Sequence, residues 1–159
     1  MKTDSVSIGN CGEYFVAAEL ERNGFTAAVP MSNTKNFDIL AIDKQSGRQI
    51  AIQVKTNHTK ARTWTLSLKN ETLLGDDIYY VFVSLNEKDA PDYFIVPCQT
   101  VAESIKKTHS NFIETKKANG TFTKDTAIRK FSFEYTKYNP LGLQAEDYTD
   151  WGLLKGETP

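Results

Sequence analysis

Three polar residues interrupt the most apolar part of this chain. In the stretch FDILAIDKQSGRQIAIQVKT, residues 37–56, Asp38 opens one run of β-forming residues, and Gln53 and Lys55 close the next. A buried carboxylate must be paired, hydrogen-bonded or metal-bound, which leaves two chemical uses for this trio. One is an ion pair between Asp38 and Lys55, with Gln53 completing the hydrogen bonds, although buried ion pairs often fail to offset their desolvation. The other is a cation site. Asp38 and the Gln53 side-chain oxygen suit a hard cation such as Mg²⁺, which favours oxygen ligands and keeps several waters. Lys55 would then position an attacking water or offset charge growing on a phosphate. Spacing alone leaves both uses open.

The elements that must position these groups follow from periodicity. Side chains alternate faces along a strand. On the second strand, predicted over 49–56, Gln49, Ala51, Gln53 and Lys55 share one face while Ile50, Ile52 and Val54 turn to the core. On the first, over 37–43, Asp38 shares a face with Leu40 and Ile42. A turn centred on Ser46-Gly47 allows two registers, with Asp38 opposite Gln53 in one and opposite Lys55 in the other. Directly paired residues point to the same side, so the three polar groups converge in both, whereas a slip of one residue would send Asp38 to the wrong face.

Upstream, residues 8–23 predict a helix. Ile8, Cys11, Phe15 and Ala18 recur at helical spacing, Val16 and Leu20 widen the stripe, and Asn23-Gly24 ends it. Glu13 lies three, four and seven positions before Val16, Ala17 and Leu20, at the edge of that stripe. It is either a helix-surface residue or, with Asp38, the second negative charge matching one divalent cation. Further strands are predicted over 25–29, 64–68, 78–85 and 93–96, and helices over 100–107, 111–117 and 126–135. The tail DYTDWGLL is expected to pack through Trp151 and Leu154. Trp64, Tyr79 and Tyr80 fall inside apolar strands and read as core rather than as base-stacking platforms. With no repeats or linkers, the expectation is one α/β domain over 1–159, its sheet early and its helical pieces late.

Composition narrows the setting. The chain has 159 residues, 40% hydrophobic and 25% charged, enough for one packed core. No apolar run approaches the roughly 20 residues of a membrane span, and the N-terminus lacks the apolar core of a secretory signal. Cys11 and Cys98 show no CxxC spacing, so free thiols and a cytoplasmic location are expected. A net charge of −1 argues against coating a polyanion by bulk charge. The charge is segregated, however: residues 44–70 carry Lys44, Arg48, Lys55, Lys60, Arg62 and Lys69 with no acid, and 106–130 is also basic. Such segregation permits a basic face on a neutral protein.

Glu13 on a first helix, a Gly24-Phe25 step into a strand, Asp38 in FDILAI, then IAIQVK: in that order these resemble the PD-(D/E)XK nuclease superfamily. The opening half is most similar to archaeal-type Holliday-junction resolvases, over residues 9–57, about a third of the chain. The resemblance implies a restriction-endonuclease-like α/β fold, a central mixed β-sheet flanked by helices. It implies that Asp38 is the metal-binding carboxylate, Lys55 the motif lysine, Glu13 the helix acid completing the site, and the Val54 carbonyl a further ligand of Mg²⁺ or Mn²⁺. Two departures stand out. Phe37 replaces the motif proline, and Gln53 replaces the acid of E-x-K, a change found both in active restriction enzymes and in inactive members.

Ser32 falls where resolvase-like proteins carry a serine loop near the scissile phosphate, and an ordinary polar loop is the alternative. Lys60 and Arg62, just after the motif strand, suit phosphate contacts, or belong to a solvated basic loop. His58 is a further loop residue close to the motif. The implied activity is metal-dependent hydrolysis of DNA phosphodiester bonds, with duplex or branched DNA as partner and a homodimer compatible with cutting two strands. Two other readings remain: an inactive nuclease-fold protein that binds nucleic acid, and a protein-interaction module with a purely structural Asp38–Lys55 pair.

Overall fold

The computed structural model describes residues 4–30, 37–115 and 118–156. The first helix, α1 (Ser5–Arg22), begins ahead of the predicted start because Asp4 caps it: its carboxylate accepts from Val6 N–H at 3.0 Å and Ser7 N–H at 2.9 Å, satisfying free amides of the first turn. Gly24, at φ 87°, takes the left-handed conformation that turns the chain into the sheet. The buried stripe of α1 is Gly12, Val16 and Leu20, which rotates the helix away from the predicted Cys11–Phe15–Ala18 line; Phe15 is 41% exposed. Gly12 causes the rotation. A Cβ at that position would lie 1.9 Å from Thr56 Oγ1, so only glycine lets the helix sit this close.

After α1 come β1 (Phe25–Ala28), β2 (Ile39–Asp43), β3 (Gln49–Asn57), β4 (Thr63–Ser67), β5 (Ile78–Ser84), β6 (Asp92–Pro97), α2 (Cys98–Glu114) and β7 (Ile128–Ser132). A 3₁₀ turn, Leu68–Thr72, links β4 to β5, and three more, Thr136–Tyr138, Ala145–Tyr148 and Trp151–Lys155, end the chain. Five strands form the main sheet in the order β1-β2-β3-β5-β6. The β3–β5 pair is parallel and the other three pairs are antiparallel. β4 leaves this sheet to form an antiparallel two-stranded ribbon with β7.

The late part of the chain is therefore less helical than its sequence pattern predicts. Residues 128–132 form a strand in which Arg129 and Phe131 are buried while Ile128 and Lys130 point outward. An arginine on the inner face disguises the period of two. Conversely, the predicted helix over 100–107 is one part of the longer α2, whose inner face ends in Ser104, Thr108 and His109 rather than apolar residues.

Alternation along β5 divides the core. Tyr79, Val81 and Val83 join Val16 and Leu20 of α1 on one face, together with Ile39, Ile50, Ile52 and Val54. Tyr80 and Phe82 face α2 and the ribbon, packing with Trp64, Phe94, Val101, Ile105 and Phe131. Trp64 donates its indole N–H to Val83 O at 3.1 Å, so Trp64, Tyr79 and Tyr80 are core, as their strand positions predict. The tail returns as anticipated: Leu154 is fully buried and Trp151 packs on Tyr93, ring centroids 5.6 Å apart. The second layer covers β5 and β6 but leaves β2 bare on that side, where Leu40 and Ile42 are each 43% exposed. Among the described residues no helix is long and apolar enough to cross a membrane.

Candidate active site

The β2–β3 hairpin adopts the first of the two registers. Ile39 pairs with Ile52 and Leu40 with Ala51, and Asp38 N–H donates to Ile52 O at 2.8 Å, which brings Asp38 opposite Gln53. The Gln53 side-chain amide and the Val54 N–H, the latter at 2.8 Å, both donate to Asp38 Oδ2. Among the described residues no donor engages Asp38 Oδ1 or Gln53 Oε1. In the parallel register with β5, Gln53 lies beside Tyr80 and Lys55 beside Phe82. The polar trio therefore sits on the α2 side of the sheet, at the margin where the second layer stops.

Lys55 forms neither a hydrogen bond nor an ion pair with any described residue. Burial pulls its ammonium below the usual lysine range and the positive charge of Lys69 adds to that; Asp38 and Glu13 pull the other way. Glu13 arrives on α1, positioned by the close Gly12–Thr56 approach. Partial burial raises its carboxyl above the usual range, the negative charge of Asp38 raises it further, and Lys55 opposes both. Glu13, Asp38, Gln53 and Lys55 thus form one cluster held by three elements. Beside it, Thr56 Oγ1 is buried without a hydrogen-bond partner among the described residues. A cleft of about 400 Å³ opens here, lined by Ile8, Lys55, Thr56, His58, Trp64 and Thr65.

The other basic residues behave differently. Of the six cations in the acid-free block 44–70, four are matched: Lys44 with Glu21 at 2.7 Å, Arg48 with Asp77 at 2.8 Å, Lys60 with Asp89 at 3.0 Å and Arg62 with Glu146 at 3.2 Å. Lys60 and Arg62 are thereby engaged outside the lining of the Lys55 cleft. The two without a carboxylate partner among the described residues are Lys55 and Lys69, near enough to sense each other. Sequence reasoning counted Lys69 only as part of the basic block. Its position, at the start of the turn after β4, is the feature that places it here. His58 is exposed on the cleft wall, and Ser32 lies outside the described residues.

The donor set can be tested against a metal. Among the described residues no group of three His, Cys, Asp or Glu side chains could hold one. What remains is two carboxylates, the Gln53 Oε1 and the Val54 carbonyl. All are hard oxygen donors, and they fit a cation that retains part of its water shell.

A mixed sheet backed by α1 on one face and by α2 on the other defines the restriction-endonuclease-like fold. A family model described as PD-(D/E)XK endonuclease matches residues 3–132, and the chain belongs to that family. Among solved structures the chain is similar to Hjc, a Holliday junction resolvase from the archaeal hyperthermophile Archaeoglobus fulgidus. The TM-score is 0.52 and the identity 17%, over 95% of this chain and 98% of that one. A bacterial homing endonuclease aligns with a TM-score of 0.46 and 11% identity, over 82% of this chain and 77% of the other. No curated protein matches the chain in sequence.

Proposed function

We propose that the protein is a metal-dependent endonuclease that hydrolyses DNA phosphodiester bonds. The observation that carries this reading is Lys55, which lines the cleft without an ion-pair partner among the described residues and lies within electrostatic reach of Asp38, Glu13 and Lys69, whereas four of the six cations of the block 44–70 are matched. A half-buried ammonium with no direct ion pair remains able to take a phosphate as a partner. Glu13, Asp38, Gln53 Oε1 and the Val54 carbonyl would hold Mg²⁺ or Mn²⁺, which when bound activates a water and screens the phosphate.

This chain's own residues do the rest. The Gln53 and Val54 N–H groups hold Asp38 by Oδ2 and leave Oδ1 without a donor among the described residues. Lys55, on the same face, offers its ammonium to the attacking water or to the charge growing on the phosphate oxygens. Lys69 draws the DNA backbone into the cleft. A twofold pair of such sites would cut both strands. The second reading, a DNA binder without catalysis, is favoured by one observation, the neutral Gln53 in the place of an acid.

The test is nicking and cleavage of plasmid and branched DNA with Mg²⁺ and with Mn²⁺, for the wild type, Asp38→Ala, Lys55→Ala and Gln53→Glu. Cutting should fall by about 100-fold or more in the two alanine variants, the scale of losing one preorganised electrostatic group, and should persist in Gln53→Glu. A folded wild type that binds DNA without cutting it, joined by a Gln53→Glu variant that does cut, would establish the second reading. Activity surviving both alanine substitutions would place the chemistry elsewhere.

A further inference from the structure

Away from the Asp38 cluster, α2 and the ribbon enclose a second concave surface. Two adjoining cavities of about 350 and 450 Å³ share Phe112, Thr123 and Tyr138. Lys107, Lys124, Lys130 and Lys137 line them, and among the described residues no acidic side chain does. Arg129, also in the lining, is neutralised by Glu71 and contributes shape rather than charge. The apolar part is open to solvent: Phe112 is 48% and Ile128 57% accessible. Lys137 Nζ lies over the Tyr138 ring at 4.7 Å from its centroid.

This groove and the Lys55 cleft meet at the ribbon. Thr65 of β4 lines that cleft, and its hydroxyl accepts a hydrogen bond from Lys130 Nζ, which lines the groove, at 2.6 Å. The outward face of the ribbon between them carries Thr63, Thr65, Ser67 and Lys130, all potential donors to phosphate and none acidic. Resting on the nuclease reading above, we propose that an unpaired stretch of the DNA substrate runs from the Lys55 cleft across the β4–β7 ribbon into the α2 groove. There Lys124, Lys130 and Lys137 take its phosphates, and Phe112, Ile128 and Tyr138 take its bases. Cavities of this size admit single bases and exclude a duplex. An aromatic wall flanked by lysines is the chemistry that single strands use, since every base offers a π-face and every linkage a charge.

The experiment measures metal-free binding, in EDTA, of a blunt duplex and of the same duplex with a short single-stranded thymidine tail of either polarity. Wild-type protein is compared with Phe112→Ala and with Phe112→Ala/Lys124→Ala. Both residues are exposed and lie outside the Asp38 cluster. At least one tailed duplex should bind about tenfold tighter than the blunt one, the scale of stacking one or two bases. Its affinity should also fall more steeply with salt, by a slope of about 2 for three added phosphate contacts on a single strand. The double variant should lose the tail advantage and keep its affinity for the blunt duplex. Equal binding of tailed and blunt duplexes, equal loss on both in the variants, or displacement of the tail by polyglutamate as readily as by oligothymidine would overturn the proposal. Cleavage of the same duplexes with Mg²⁺ is scored separately. Cutting without a tail advantage sinks the groove and leaves the nuclease standing, and a tail advantage without cutting does the reverse.

Discussion

Lys55 and Arg129 are both strand cations turned toward the protein, and they are treated in opposite ways. Arg129, on the ribbon, is 4% exposed and donates to the Glu71 carboxylate, to Thr126 O at 2.6 Å and to Ile128 O at 3.0 Å. Lys55, on the main sheet, has no hydrogen bond or ion pair among the described residues. A buried charge with its partners in place belongs to the architecture. The half-buried charge of Lys55, near Asp38 and Glu13 but directly bonded to neither, is kept available to a ligand. Sequence composition treats the two alike; only the partner list separates them.

The largest test of this contrast is a matched pair of substitutions followed by chemical denaturation. Arg129→Met leaves the mostly covered Glu71 unmatched, and should lower stability by about 3 kcal/mol. Lys55→Met removes an unmatched cation, and should leave stability unchanged or raise it while abolishing cutting. Equal destabilisation by both would erase the distinction. A smaller effect comes from Gly12→Ala, whose Cβ would meet Thr56 Oγ1 at 1.9 Å. Overpacking of this kind costs about 1–3 kcal/mol. Because the shift moves Glu13, cleavage should fall by more than the stability loss explains, and Thr56→Ala in the same chain should restore part of both.

The smallest effect concerns the other matched pair, His109 and Asp125, 2.6 Å apart beside the α2 groove. The hydrogen bond from His109 holds the Asp125 carboxyl below the usual aspartate range. A depressed carboxylate contributes stability that is present above its unfolded value and lost as pH falls through the folded one. The wild type should therefore melt slightly above Asp125→Asn at neutral pH, and the two melting temperatures should converge in acid. A gap that persists at low pH would assign the effect of the pair to packing instead.

The hairpin was legible because strand alternation and turn length leave few registers, and one of the two allowed is the one found. The family resemblance then singled out Glu13, a half-buried helix residue that periodicity alone places only at the edge of a stripe. Other features were beyond reach for identifiable reasons. The charges that neutralise Lys44, Arg48 and Arg62 come from residues 23, 29 and 84 positions away, so which cations remain free is decided by the tertiary structure. That is also why Lys69 did not stand out. Strand β7 was misread as helix because Arg129 points inward, and polarity at a core position erases the pattern on which the reading depends. The rotation of α1 follows from a close approach at Gly12 that a hydrophobic count does not weigh.

The pairing of β4 with β7 also sets an order of events during synthesis. β4 forms one wall of the Lys55 cleft, yet its only sheet partner, among the described residues, is made more than a third of the chain later, after β5, β6 and α2. Closing so large a loop is slow, because the entropy of bringing distant segments together is lost before their contacts form. A nascent chain that has emerged as far as β3 therefore carries Glu13, Asp38, Gln53 and Lys55 without the wall beside them. On the ribosome the hairpin comes first and the finished cleft last.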